Sequence, residues 1–175
     1  MESVISDIDD KLLKSSLDGD LEGVVNALAQ GGSIGMRNPQ GFTPLLAAAQ
    51  KGHTDICRLL LAHSCNVNEV QLKTKDTALH FAAVQGNEIL VDALLSWEAI
   101  VNPQNHGGLT PLNVACQEGH LACVLALLKA GASVSLPIIN GSLPIHAAAV
   151  QNRVEIVRTL LDYGCSPDMV SCELL

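Results

Sequence analysis

The chain has 175 residues, 48% of them hydrophobic and 16% charged, and its 10 basic and 18 acidic side chains give a formal net charge of −8. This composition predicts one folded domain and argues against an intrinsically disordered chain, which would need the reverse balance of apolar and charged residues. The acidic excess, without any cluster of lysine or arginine, argues against nucleic-acid binding, because phosphate recognition needs a positive surface.

Membrane insertion is also not expected. No apolar run approaches the roughly 20 residues of a membrane-spanning helix. The first ten residues, MESVISDIDD, carry acidic side chains where a secretory signal peptide carries basic ones. We therefore predict an intracellular protein, cytoplasmic and/or nuclear.

Five similar units of roughly 33 residues follow one another along the chain, and the first, residues 5–37, is the least regular. Its markers are the sequence GDLE at residues 19–22 and the glycine pair at residues 31–32. The end of a stack of units needs a polar outer face, because no neighbour covers it. The residues that provide this face in the first unit are Asp9, Asp10, Lys11, Lys14 and Ser15.

The second unit, residues 38–70, shows why each unit is expected to be a pair of helices. Thr43 can cap a first helix with its hydroxyl, and Pro44 suits the first helical position, where no N–H donor is needed. The helix is predicted to run to about Gln50, and Gly52 supplies the positive φ that ends it. A second helix follows, with an apolar stripe at helical spacing. The stripe residues are Ile56, Leu59, Leu60 and Leu61.

The third and fourth units, residues 71–104 and 105–137, repeat this pattern in register. Residues 41–53 (GFTPLLAAAQKGH), 76–86 (DTALHFAAVQG) and 108–120 (GLTPLNVACQEGH) are alike in order and spacing. The capping threonines and the glycines that end the first helices each recur every 33 or 34 residues. One extra residue falls in the polar loop between the second and third units, where an insertion costs little. The threonines are Thr43, Thr77 and Thr110, and the glycines are Gly19, Gly52, Gly86 and Gly119.

The fifth unit, residues 138–168, departs from the pattern at both ends of its first helix. Leu143 stands at the threonine position, so this helix must rely on Ser142 or have no side-chain cap, and we expect the unit to be the least stable by about 1 kcal/mol. Asn152 replaces the glycine. The second helix carries apolar residues at ordinary internal positions, so we expect the stack to continue in a longer protein. Residues 169–175 are then a tail or the start of a further element.

This pattern resembles the ankyrin repeat, whose signature is G-x-T-P-L-H-x-A-A-x-x-G-H followed by an apolar helix ending in L-L-x-x-G-A. The resemblance covers about residues 5–168 and recurs in phase. It implies an all-α fold, a solenoid of stacked helix-turn-helix units with protruding loop and β-turn tips. One hairpin cannot bury enough surface to offset its ordering entropy, so the five units are expected to stack into a single domain over residues 1–175.

The positions of cysteine and histidine are explained by the repeat. Five of the six cysteines occupy small apolar positions, and there is no C-x-x-C and no zinc-ligand spacing. We therefore predict free thiols, a reducing compartment and no metal site. The resemblance gives His80 and His146 the role of linking neighbouring loops by hydrogen bonds. Cys172, outside the last unit, has no assigned role.

No constellation of residues indicates catalysis or a cofactor. His63 and His106 have no Ser, Cys or acidic residue at a spacing typical of a catalytic set. The glycines mark turns at a fixed period, and neither glycine-rich phosphate-binding motif occurs. We therefore predict no enzyme activity, no cofactor and no small-molecule substrate.

The resemblance instead implies binding of a partner protein or extended peptide on the concave face of the solenoid. The alternative is the targeting arm of a larger regulatory protein, such as a ubiquitin-ligase adaptor, kinase or channel. In ankyrin proteins the variable side chains lie at the loop tips, on the exposed side of the first helix and near the end of the second. The acidic excess slightly favours a basic or mixed apolar-basic partner. The candidate partner-binding residues are Phe42, Gln50, Lys51, Asp76, Phe81, Val84, Gln85, Trp97, Leu109, Gln117, Glu118, Ile139, Ser142, Val150, Gln151 and Tyr163.

The four aromatic residues are the sharpest of these candidates. Phe42, Trp97 and Tyr163 fall at variable surface positions with Phe81 beside them, and exposed rings typically anchor a partner with on the order of 2 kcal/mol or more each. The alternative is that the rings cover seams between units. Glu98 stands where other units carry glycine, so we also expect a distorted helix end next to Trp97.

Overall fold

A computed structural model describes residues 7–166, which form ten α-helices arranged as five consecutive pairs. Each unit predicted from the sequence contains one pair, and the all-α fold class is confirmed. Within the described range, strand-type pairing is limited to an isolated antiparallel bridge between Val70 and Thr77. The helices are α1 (Asp7–Asp18), α2 (Leu21–Ala29), α3 (Pro44–Lys51), α4 (Thr54–Ala62), α5 (Ala78–Gln85), α6 (Glu88–Ser96), α7 (Pro111–Glu118), α8 (Leu121–Lys129), α9 (Pro144–Val150) and α10 (Val154–Asp162).

Threonine caps and left-handed glycines fix the ends of the first helices. The side chain of Thr43, the N-cap of α3, accepts a hydrogen bond from the amide of Leu46 at 3.3 Å. At the other end Gly52 adopts a φ of +77°, a conformation that costs an L residue with a side chain roughly 1–2 kcal/mol. Thr77 and Thr110 cap α5 and α7 in the same way. These start and stop signals were predicted correctly from the sequence.

Aliphatic side chains from all five units form one continuous core. The first helices of neighbouring units pack against each other more extensively than the second helices do, so the stack curves with its first helices on the concave side. Full burial of one large aliphatic side chain contributes roughly 1.5–3 kcal/mol to the stability of the fold. The largest fully buried side chains are Leu12, Leu45, Leu46, Ile56, Leu60, Leu61, Leu79, Leu90, Leu94, Leu112, Leu127 and Leu160.

Hydrogen bonds join the turns that precede the first helices. We call these turns fingers: residues 36–42, 70–76, 103–109 and 136–142. Arg37 donates to the carbonyl oxygen of Val70 at 2.7 Å and pairs with Glu69, which joins the first finger to the second. The side chain of Gln104 donates to the carbonyl oxygen of Pro137 at 3.1 Å, which joins the third finger to the fourth. The fingers are therefore held in fixed relative positions before any partner arrives.

The first unit is polar at the open end of the stack. Asn26 is exposed at the position where Leu59 and Ala126 of inner units pack against the core. Ser15 was expected on this polar face, but that prediction is wrong. Ser15 is buried between helices, where its hydroxyl donates to the Asp20 carboxylate at 3.4 Å.

The fifth unit is apolar at the other end of the stack, as its sequence indicates. Leu161 is 45% exposed, whereas Leu61 and Leu128 at the equivalent position of inner units are 1% and 5% exposed. Val157 is likewise only partly buried, while its counterpart Val124 is fully buried. The apolar positions that are buried between inner units are thus partly exposed in the last unit. Cys172 lies outside the described residues.

The first helix of the fifth unit starts without a side-chain cap. Leu143 occupies the N-cap position with extended backbone and makes no capping hydrogen bond, and Ser142 does not replace it. The Nδ1 atom of His146 accepts a hydrogen bond from the Leu143 amide at 3.0 Å. Leu143 is itself buried, so apolar packing replaces the missing cap interaction.

The helix end at Glu98 is not distorted, contrary to the expectation from sequence. Glu98 adopts a φ of +62°, and Gly131 at the equivalent position has a φ of +88°. The amide of Ala99 donates to the Leu94 carbonyl oxygen at 3.1 Å, as that of Ala132 does to its own helix at 2.9 Å. Glu98 therefore adopts the left-handed conformation found at the glycine of another unit, although a residue with a side chain does not favour it.

Replacing Glu98 with glycine is expected to raise the free energy of unfolding by about 1 kcal/mol, because glycine adopts a positive φ without steric strain. The measurement is urea denaturation followed by far-ultraviolet circular dichroism. The matched control is Glu88→Gly in the first turn of α6, where glycine has no such advantage and stability should fall. A loss of stability in both variants would contradict the assignment of strain to Glu98.

Candidate protein-interaction site

The carboxyl ends of the first helices form a row of exposed side chains on the concave side. The last two residues of α3, α5 and α7 are exposed, and so are the last residue and the C-cap residue of α9. One hydrogen bond joins two units within this row, from the side chain of Gln85 to the carbonyl oxygen of Gln50. All eight members were predicted as partner-binding residues. They are Gln50, Lys51, Val84, Gln85, Gln117, Glu118, Val150 and Gln151.

A groove of about 170 Å³ opens on this side between the fourth and fifth units. It lies between α7, α9 and the two fingers that precede them. None of its lining residues is Asp, Glu, Lys or Arg. Val150 at its edge is 82% exposed, the highest value among the exposed large apolar side chains of residues 7–166. The predicted residues that line the groove are Leu109, Gln117, Ser142, Val150 and Gln151.

Five further groove residues were not among the predicted partner-binding residues. They are Asn113, Ile138, Leu143, His146 and Ala147. Ile138 could have been found, because it adjoins the predicted Ile139 in the most apolar finger of the chain. The predicted Ile139 is 73% exposed and its amide donates to the carbonyl oxygen of Gly107 at 3.3 Å. It therefore extends the apolar surface beyond the groove.

Two of the predicted aromatic anchors stack on each other. The rings of Phe42 and Phe81 lie with centroids 6.0 Å apart and an interplanar angle of 28°. Both side chains are half-buried and pack against the core. They therefore seal the seam between the second and third units, which was the alternative considered for the aromatic residues.

The other two aromatic residues lie in the layer of second helices. Trp97 and Tyr163 are the C-cap residues of α6 and α10, and each is 46% exposed. Within residues 7–166, no ring contact links either of them to the Phe42 and Phe81 pair. The structure therefore does not bring the four aromatic residues together on one surface.

Asp76, the remaining predicted finger residue, takes part in the contacts between fingers. Its carboxylate accepts a hydrogen bond from the side chain of Asn105 at 2.8 Å. The backbone carbonyl of Leu109 accepts one from the ring of His80 at 2.9 Å, with the nitrogen Nε2 as the donor. Asp76, Leu109 and Ser142 are half-buried. They therefore contribute to the fixed geometry of the fingers as well as to their surface.

A family model described as ankyrin repeats in three copies matches residues 12–105 and 90–171. The chain belongs to the ankyrin-repeat family. An ankyrin solenoid is the kind of fold that acts as a protein-interaction module.

Similar regions occur within much longer proteins. The chain is 36% identical over 116 residues to the ankyrin repeat and KH domain-containing protein mask-1 of Caenorhabditis elegans, covering 66% of this chain and 4% of mask-1. It is 43% identical over 77 residues to palmitoyltransferase ZDHHC17 of Danio rerio, covering 43% and 12%. It is 31% identical over 124 residues to E3 ubiquitin-protein ligase XBAT33 of Arabidopsis thaliana, covering 55% and 24%. The chain thus spans a minor part of each relative.

His80 links neighbouring ankyrin units, as the resemblance implied. Its Nδ1 atom accepts a hydrogen bond from the Thr77 amide at 3.1 Å, which completes a capping box, while its Nε2 atom bonds Leu109 in the next finger. Burial lowers the pKa of His80 from its ordinary value, against smaller opposing effects of the Leu109 carbonyl and the Asp76 carboxylate. The ring is therefore neutral at pH 7, as this pair of bonds requires.

Acid is expected to destabilise the chain through His80. Because the folded-state pKa is lowered, the unfolded state binds more protons as pH falls below about 6.5, so the free energy of unfolding drops by up to about 1.4 kcal/mol per pH unit. His80→Asn, which copies the capping Asn113 of the fourth unit, should flatten this slope. The measurement is urea denaturation at pH 5.5 and 7.0. An equal slope in both proteins would contradict the role of His80.

The described cysteines are unpaired thiols, as predicted, and burial raises the pKa of each of them. Desolvation raises the pKa of Cys57 to about 12 and that of Cys116 to about 12. It also raises the pKa of Cys65 to about 11 and that of Cys123 to about 11. At neutral pH these thiols are protonated, and the thiol form is a poor nucleophile and metal ligand. They act as small apolar side chains of the core.

None of the helices in residues 7–166 is both long enough and apolar enough to cross a membrane.

Proposed function

We propose that this ankyrin chain binds a partner protein or an extended peptide on its concave face, with the row at the ends of the first helices and the fingers as the contact surface. The observation that carries the proposal is the groove between the fourth and fifth units, which exposes Val150 beside uncharged lining residues. Exposed apolar surface rimmed by polar side chains is typical of protein-binding sites. The individual contact residues are part of this proposal.

The scaffold favours binding because its recognition surface is already ordered. Hydrogen bonds between fingers, such as those of Arg37 and Gln104, fix the relative positions of the tips. A partner that docks on them loses its own freedom but orders little of the solenoid. Affinity then depends on the complementarity of side chains on the concave face.

A second candidate function is supported by the relatives. The similar regions lie within proteins named as a palmitoyltransferase and a ubiquitin ligase, of which the match covers 12% and 24%. On this proposal the repeats are the targeting arm of a larger regulatory protein and deliver a bound partner to an activity encoded elsewhere. The full-length open reading frame discriminates between the two candidates.

We propose no catalysis, cofactor, small-molecule substrate or nucleic-acid partner for the repeats themselves. The raised pKa values of the buried thiols, about 12 at Cys57, and the net charge of −8 support these expectations. Residence in the cytoplasm or nucleus is also proposed. The five free thiols among the described residues support it, because reducing compartments keep cysteines unpaired.

Site-specific photo-cross-linking in cells tests the proposed surface. A photoreactive amino acid is placed one position at a time at Val84, Gln117 and Val150 on the concave side. The matched controls are Arg58 and Arg158, which are exposed on second helices. The concave positions are expected to cross-link to one shared partner, identified by mass spectrometry, and the controls are not.

Cross-links confined to the second-helix positions, or an absence of cross-links at all three concave positions, would contradict the proposed function. Trp97 provides a separate arm of the same experiment. A partner captured at Trp97 and not at Gln117 would move the interface from the concave face to the layer of second helices.

A further inference from the structure

We infer that the groove between the fourth and fifth units receives one large apolar side chain, the size of a phenyl ring, from an extended partner peptide that also carries a lysine or arginine beside Glu118. This inference rests on the proposed function and specifies the chemistry of the partner. It is carried by a comparison between two junctions of the same solenoid.

Side chains of the protein itself fill the space at the junction between the second and third units. Phe42 is the residue before the N-cap of its first helix, and Phe81 is the fourth residue after the N-cap of the next unit's first helix. Their rings stack with centroids 6.0 Å apart. At this junction the chain itself supplies the apolar side chains that occupy the space between finger and helix.

The equivalent positions at the junction between the fourth and fifth units are Leu109 and Ala147. Both line the groove of about 170 Å³. Leu109 preserves an apolar surface where Phe42 lies, but Ala147 lacks the ring that Phe81 provides. The groove is therefore the space that a second large side chain occupies at the other junction, and an apolar side chain of a partner can fill it.

The lining selects against charge inside the groove. It contains no Asp, Glu, Lys or Arg although the chain as a whole has a net charge of −8. A charged side chain entering there would lose water without gaining an ionic partner, which is strongly unfavourable. The side-chain amides of Gln117 and Gln151 lie in the same lining and provide donors and acceptors for the main chain of an extended peptide.

Glu118 directly follows the lining residue Gln117 and so places one acidic group next to the groove. It is exposed, and its Oε1 atom lies 3.5 Å from the Nε2 atom of Gln117. The nearby Arg153 donates to the backbone carbonyl oxygen of Glu118 and packs over Gly119. Within the described residues the Glu118 carboxylate forms no ion pair. A basic side chain of the partner next to the apolar one would satisfy it.

A random linear peptide library displayed on phage, selected against the full chain, tests this inference. The selected peptides are expected to share a large apolar residue close to a lysine or arginine. Their affinities are then measured by fluorescence anisotropy for the wild type and two variants. Ala147→Phe introduces a ring at the position where Phe81 already shows that one is accommodated, so the variant should fold with a melting temperature at or above that of the wild type.

Ala147→Phe is expected to weaken the selected peptides at least tenfold, because the groove is occupied from within. Glu118→Lys should weaken them about threefold, in keeping with a rim ion pair, and should remove the preference for a basic residue in a repeated selection. Glu22→Lys on α2 is the matched control, because it is an equally exposed charge reversal in the first unit, and it should leave binding unchanged.

Unchanged affinity of the Ala147→Phe variant would overturn the inference. So would selected peptides that lack a large apolar residue, or a selection that yields none. None of these results alone removes the proposed function, because the cross-links at Val84, Gln117 and Val150 report partner binding independently. Loss of those cross-links together with an empty selection would remove both.

Discussion

The Leu128→Ala variant is expected to lose about 3 kcal/mol of unfolding free energy. Leu128 lies near the end of α8 with 5% of its surface exposed, and it packs in the core cluster shared with neighbouring units. Truncation removes the transfer free energy of the buried atoms and leaves a cavity that close-packed helices fill only partly. Urea denaturation followed by circular dichroism and by the fluorescence of Trp97 measures the loss.

Leu161→Ala provides a control that differs only in its place in the stack. Leu161 occupies the same position of α10 but is 45% exposed, so the same truncation should cost about 1 kcal/mol. The difference between the two variants measures what one unit gains from the next. Equal losses would mean that contacts between units contribute little, and the stacking account of the fold would then be wrong.

The architecture could be predicted because its signals repeat. A threonine or glycine at one position is weak evidence, but recurrence every 33 or 34 residues joins the cap, the helix end and the apolar stripe into one pattern. The structure places these caps and left-handed glycines at the predicted helix ends. Glu98 departs from this pattern in sequence but not in structure, because it adopts a positive φ at a position where a glycine was expected.

The surface could be predicted only in part, because the arrangement of its side chains depends on contacts between residues of different units. The sequence identified Phe42 and Phe81 as candidates but could not show that their rings would stack on each other. Trp97 was predicted to belong to the same set of candidates, although it is the C-cap residue of a second helix and lies in the layer of second helices. Position within a unit indicates exposure, whereas the layer and the neighbouring unit decide which exposed residues share a surface.

The groove was missed for the same reason. Nothing about Ala147 distinguishes it from the many alanines of the first helices when its unit is considered alone. Its significance appears only beside Leu109 of the preceding unit and against the filled junction of Phe42 and Phe81. A cavity forms between two packed surfaces. The sequence period identifies the buried and exposed positions of each unit, but it does not show where two units leave space between them.

Gly86→Ala is expected to lower the free energy of unfolding by about 2.5 kcal/mol. Gly86 ends α5 with a φ of +67°, a conformation that costs an alanine roughly 1–2 kcal/mol. A Cβ atom there would also lie 2.5 Å from Nδ1 and 2.7 Å from Cγ of His120 in the next unit. The ring would have to move and would lose the 3.0 Å bond of its Nε2 atom to the Val84 carbonyl oxygen, worth about 1 kcal/mol.

Gly131→Ala separates these two causes. Gly131 has a φ of +88°, yet an added Cβ atom meets no atom within 4 Å, so alanine there should cost only the backbone strain, about 1.5 kcal/mol. Urea denaturation of both variants gives the comparison. The excess loss in Gly86→Ala is the contribution of the His120 contact, which joins the third and fourth units. If Gly131→Ala lost as much stability as Gly86→Ala, backbone strain alone would account for the loss at Gly86. The contact with the His120 ring would then contribute nothing to the coupling between the third and fourth units.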